Sequence, residues 1–127
     1  MNTRSTGSKW FPGFNRMLYE PVRFLTMEAL YSSELTFSEI KKHVRKDIPD
    51  LTDGNLAGHL AYLENASYIK GNRYFEERKP TTRYEITQQG KKSFEKFFAG
   101  LAKRLYKAFE VTNIEMPDSF KSLFHDS

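Results

Sequence analysis

A chain of 127 residues is long enough to bury one core and form one domain, and its 11 Phe, 7 Tyr and 1 Trp are more bulky apolar material than an unfolded tail carries. With no cysteine, disulfides and thiolate metal sites are excluded, while the net charge of +4 fits a polyanionic partner without demanding one. No apolar run approaches the roughly 20 residues of a membrane span, and the polar opening lacks the apolar centre of a signal peptide. The expectation is a soluble, cytoplasmic protein with no membrane partner.

Residues 1–18 read as an arm, polar and disordered up to Lys9 and then aromatic at Trp10, Phe11 and Phe14, where a Pro-Gly pair marks a turn. Pro21 suits the first position of a helix, where its missing N–H would be unpaired anyway. Val22, Leu25, Ala29 and Leu30 give that first helix an apolar face as far as about Tyr31. Thr36-Phe-Ser-Glu39 has the form of a capping box and opens a second helix, with Phe37, Ile40 and Val44 inward and Lys41, Lys42, Arg45 and Lys46 outward. Pro49 cannot continue it. Thr52 then caps a third helix, Leu51 and Leu56 stand at the spacing of a hydrophobic staple, and Leu56, Leu60 and Leu63 form the inward stripe with Ala57 beside them. Gly54 and Gly58 each cost a helix roughly 1 kcal/mol relative to alanine. That is tolerable where packing holds the helix or where something must approach its backbone.

Residues 68–75 and 82–86, rich in Tyr, Phe, Ile and Thr, read as two strands. The connection, residues 76–81, is polar, and Pro80 is expected to block further pairing. Thr87 caps a last helix on the order of 30 Å long at 1.5 Å per residue. A short helix is expected over residues 117–124, bearing Phe120, Leu123 and Phe124.

These elements make an α+β chain, mostly helical: a winged helix-turn-helix with a three-helix core, a β-hairpin wing and a long C-terminal helix. The arm would occupy 1–18, the DNA-binding domain 19–90, and a C-terminal dimerisation helix and tail 91–127. Such a layout puts the third helix in the major groove of duplex DNA and a charged hairpin beside it. The DNA-binding candidates are Thr52, Asp53, Gly54, Asn55, Gly58, His59 and Tyr62 on the third helix, with Arg73, Arg78, Lys79 and Arg83 in the wing. Asn55 has the amide geometry to pair with adenine, and His59 can donate to a purine acceptor or a phosphate. The plainer reading makes Thr52 and Asn55 capping residues, His59 a solvated side chain, and the wing an ordinary hairpin whose Arg83 holds its base.

The stretch from Tyr19 to about Leu101 resembles the winged-helix transcriptional regulators of the MarR/ArsR-like superfamily. The resemblance is carried by Leu51-Thr-Asp-Gly-Asn-Leu56, His59-Leu60, Leu63-Glu64, Tyr68 and Pro80-Thr-Thr-Arg-Tyr84, with Pro21-Val-Arg23 and Arg78 in the same pattern. It implies a winged-helix fold, DNA binding through the third helix and the wing, and a homodimer. The chain departs from the pattern at Ala57, Gly58, Ala61 and Tyr62, where polar or basic residues are usual. Glu77 stands where a glycine commonly makes the wing tip, and the turn between the second and third helices is longer than usual.

The last helix carries Phe94, Phe97, Phe98, Leu101, Leu105 and Phe109 at helical spacing, more than a small core can cover. Part of this stripe is expected on the domain core; the rest, with Trp10, Phe11 and Phe14 nearby, is the expected dimer surface. Those arm aromatics suit capping the core as well as meeting a second subunit. No catalytic residue, metal or cofactor is expected, since His43, His59 and His125 are scattered and lack ligand spacing. Two alternatives stand beside a DNA-binding regulator: a winged-helix module that docks protein through its third helix, and a sensor with a small-molecule effector held among the aromatics of the arm and the last helix.

Overall fold

Each of the four long helices begins where a side chain can serve its first free N–H groups. The computed structural model describes residues 11–122, so Trp10, Leu123, Phe124, His125 and the start through Lys9 lie outside the described residues. Helix α1 (Pro21–Leu30) has Glu20 accepting from the Arg23 N–H at 2.8 Å, with Pro21 in its first turn. Helix α2 (Phe37–Arg45) opens with the expected capping box: Thr36 Oγ1 accepts from the Glu39 N–H, and Glu39 returns the bond to the Thr36 N–H. That backbone donor, chiefly, holds the Glu39 carboxyl below its ordinary range. Thr52 caps α3 (Asp53–Asn65) and Thr87 caps α4 (Gln88–Thr112) through the hydroxyl alone, accepting from the Asn55 and Gly90 N–H groups at 3.1 and 2.9 Å. At 25 residues, α4 is about 37 Å long. A single turn, α5 (Asp118–Lys121), follows.

The inward stripe of α2 is as expected, with Ile40 and Val44 fully buried, and so is that of α3, with Leu56, Leu60 and Leu63. Leu51 and Leu56 are both buried in the one core, as the staple requires. In α1 the buried face is turned from the expected one. It consists of Val22, Thr26, Met27 and Leu30, while Leu25 and Ala29 are half-buried. A threonine inside that face is what an apolar pattern passes over.

Three strands form an antiparallel sheet in the order β1 (Leu35–Thr36), β3 (Lys79–Ile86), β2 (Ile69–Glu76). The short β1 was not anticipated; two residues are too few for any alternation to register. The wing differs from expectation more instructively. Its strands run on to Glu76 and from Lys79, joined by a turn of only Glu77 and Arg78. Both turn residues have positive φ, 51° and 70°, the conformation of a type I′ hairpin turn. Pro80 therefore does not stop the pairing. The pair closing a two-residue turn exchanges hydrogen bonds, so the next pair, Phe75 with Pro80, is one whose N–H groups point away from each other. A missing N–H costs nothing there.

The core draws on every layer: the three helices, Tyr68 and Ile69 of the wing's base, Phe94 and Phe97 of α4, and Phe11 and Leu18 of the arm. The arm folds back over α4, placing the Phe11 ring 5.7 Å from that of Phe97. Gly100 makes this possible, because a Cβ there would lie 2.3 Å from Phe11 and 2.4 Å from the Pro12 carbonyl. Gly90 plays the same part at the wing's base, with the Tyr68 carbonyl only 2.1 Å from where its Cβ would stand.

Candidate nucleic-acid interface

The outward face of α3 contains no lysine or arginine. Thr52, Asp53, Gly54, Asn55, Gly58 and Tyr62 are exposed along it, and His59 is half-buried. Thr52 is engaged as the cap, and Asp53 pairs with Lys41 of α2 at 2.5 Å. A Cβ added at Gly54 or Gly58 would meet nothing within 4 Å, so the fold itself requires neither glycine.

The cation missing from α3 arrives from α1. Arg23 donates through Nε to the Met17 carbonyl at 2.6 Å and through Nη1 to His59 Nδ1 at 3.0 Å. Its guanidinium also lies over the Tyr62 ring, 4.5 Å from the centroid, within range of a cation–π attraction. Accepting at Nδ1 places the His59 proton on Nε2, which faces Glu20 Oε2 at 3.7 Å. The result is a shallow depression lined by Arg23, Gly54, Asn55, Gly58, His59 and Tyr62. Five of these were site candidates from sequence. Arg23 figured there only as part of a family pattern, because no local signal tells that a residue in the first turn of α1 reaches across to α3.

In the wing, Arg73, Arg78 and Lys79 are exposed. The side chains of Arg78 and Lys79 make no hydrogen bond or ion pair among the described residues. Arg83 is committed within the sheet, where its Nε donates to the Tyr74 hydroxyl at 2.8 Å. Glu85 accepts from Asn72 and Glu64 from the Gly71 N–H, which occupies two of the nearby carboxylates.

The expected dimer surface is largely accounted for inside the chain. Phe11, Phe94 and Phe97 are buried in the core, where the returning arm and α1 cover that stretch of α4. Phe14 and Leu101 are half-buried against the same core, and Phe109 packs on Phe120 at 5.6 Å. Phe98 and Leu105 remain about half exposed. Beside α4 a cleft of about 440 Å³ is lined by Phe24, Glu28, Tyr31, Phe94, Glu95 and Phe98, among others. No three His, Asp or Glu side chains are grouped to hold a metal ion, and no helix is long and apolar enough to cross a membrane, among the described residues.

Residues 22–105 match the family model of the winged helix DNA-binding domain. The chain belongs to this family. Among solved structures, this winged helix domain is similar to the transcriptional regulator homologue from Pyrococcus horikoshii OT3, with 29% identity over 79% of this chain and 91% of that one, at a TM-score of 0.61. A PadR family transcription regulator from Clostridium difficile R20291 aligns with 75% of this chain and 100% of its own, at 20% identity and a TM-score of 0.64. Bacillus subtilis PadR, solved in complex with operator DNA, aligns with 61% of this chain and 46% of its own at 15% identity and a TM-score of 0.54. The likeness to these two PadR proteins is one of fold. No curated protein matches the sequence.

Proposed function

We propose that this winged-helix chain is a homodimeric transcription regulator of the cytoplasm that binds duplex DNA, with α3 in the major groove and the wing along the backbone or the adjacent minor groove. The observation that carries this reading is the guanidinium of Arg23, fixed against the outward face of α3. Of its five N–H donors, two are engaged, by Met17 and His59. The rest of the fork is free to take a phosphate oxygen pair, for which a planar guanidinium is well shaped. Asn55, beside it in the depression, has an exposed amide suited to adenine. His59 in this reading positions Arg23 and does not itself read bases. The aligned part of the operator-bound PadR protein has the same fold, which supports this mode of use.

Duplexes selected in vitro from a random pool, with binding followed by fluorescence anisotropy at rising salt, test the proposal. Arg23→Ala is expected to weaken binding and to flatten the log–log salt slope by about 0.9, one phosphate contact. Arg23→Lys should not restore it, since an ammonium can neither fork nor stack in the same way. Failure to select or bind any duplex at low salt would sink the reading. It would leave the α3 face as a docking surface for protein.

A further inference from the structure

At the end of the wing, one pair short of the closing pair, Phe75 stands opposite Pro80. The ring is 74% exposed. Strand side chains alternate between faces, so Phe75 and Pro80 share a face with Arg73 and Thr82, and further down with Gly71, Tyr84, Ile69 and Ile86. At its base this is the face that packs on the helices: Ile69 is buried, and Tyr84 and Ile86 pack against the core. At the tip the helices no longer cover it, and the apolar lining ends in an uncovered ring backed by a proline. Glu76 and Lys79 belong to the opposite face, where Tyr74 donates to Glu76 at 3.4 Å. The Phe75 face thus carries the cation Arg73 and no carboxylate from either strand.

The mounting is short. The two-residue turn leaves no slack, and Glu77 and Arg78 adopt their positive φ values without a glycine. Such a tip combines an apolar ring held away from the body with three cations, Arg73, Arg78 and Lys79, which outnumber the carboxylates Glu76 and Glu77 and can meet phosphates on either side. That combination is what proteins insert between base pairs from the minor groove.

We propose that Phe75 is a wedge: with the wing in the minor groove, its ring enters a base step, partly unstacks it and kinks the duplex. The proposal rests on the DNA-binding reading above. It adds a source of specificity that needs no hydrogen bond to a base, because pyrimidine–purine steps open more easily than others. The sites this chain selects would then carry such a step at a fixed distance from the α3 contact.

The test uses the full chain and its selected duplexes, labelled at both ends for energy transfer and carrying 2-aminopurine in the step under the wing. Wild type should shorten the end-to-end distance, as a kink of roughly 20–90° does, and brighten the 2-aminopurine. Phe75→Leu should keep both signals. Phe75→Ala should lose both and bind about tenfold more weakly, the order of one stacking contact. Phe75 lies at an exposed tip, so an unchanged melting temperature in both variants confirms that the fold is intact. Bending and affinity that survive Phe75→Ala would overturn the wedge while leaving DNA binding standing. If no duplex is bound at all, the DNA-binding reading and the wedge fall together.

Discussion

At the scale of single residues, Thr26 stands apart. Its hydroxyl is fully buried in the inner face of α1, and it has no hydrogen-bond partner among the described residues. A buried hydroxyl left unpaired costs about 1–3 kcal/mol in desolvation, so Thr26→Val, close in shape, should stabilise the fold by about 1–2 kcal/mol in urea titration. A loss of stability instead would mean that the oxygen has a partner such as an internal water. The same residue is part of why the apolar face of α1 was misplaced by sequence reasoning, which counts a threonine as polar; Met27, apolar and fully buried, was passed over with it. Arg23 is the complementary case. It is visible in the sequence as a letter of a motif, but its role depends on three groups from elsewhere, the Met17 carbonyl, His59 and Tyr62.

At the scale of elements, what was legible is what is local. Caps at Thr36, Thr52 and Thr87, the Leu51–Leu56 staple and the leucine stripe of α3 all follow from spacing within a few residues. The wing's turn was not legible, because a type I′ turn normally announces itself with Asn-Gly or a similar pair and here is made by Glu77 and Arg78. Glycines sort by the same logic. Gly90 is required by the Tyr68 carbonyl, whereas Gly58 has open space where its Cβ would be. Gly58→Ala should therefore raise helix stability, by about 0.5–1 kcal/mol, and at the same time weaken DNA binding, since it adds a methyl to the surface proposed to face the groove. Thermal melting and anisotropy on one sample report both signs. A gain in stability with unchanged affinity would remove the Gly58 face from the interface.

At the scale of the whole molecule, the long stripe of α4 reads differently once folded. From sequence, part of it was expected on the core and the excess on a partner, with no sign of where one ends and the other begins. Much of it is covered by the chain's own arm, a long-range return that no periodicity encodes. What is left open is Phe98 and Leu105, one heptad apart, with Val111 and Ile114 beyond. If the dimer forms there, the double variant Phe98→Glu with Leu105→Glu should sediment as a monomer and keep the wild-type fold by circular dichroism. It should also lose the avidity that two linked half-site contacts confer, a drop of about 10²-fold or more. A wild-type chain that stays monomeric at high micromolar concentration would end the dimer proposal without touching the fold.

Tyr68 joins parts of the molecule that are far apart in sequence. Its hydroxyl accepts from Asn15 of the arm at 2.6 Å, and its carbonyl accepts from the Thr87 N–H at 3.0 Å, while the Thr87 hydroxyl donates to the neighbouring Ser67 carbonyl at 2.6 Å. Gly90 lets α4 close directly onto the Tyr68 carbonyl. The root of the hairpin is in this way bolted to the start of the long helix, with no joint between them. Should two copies pair through α4, the angle at which those helices cross would also set the distance between the two wing tips. A ligand or substitution that alters the crossing by a few degrees would be felt at the tips as a change of reach, as at the far ends of a pair of calipers.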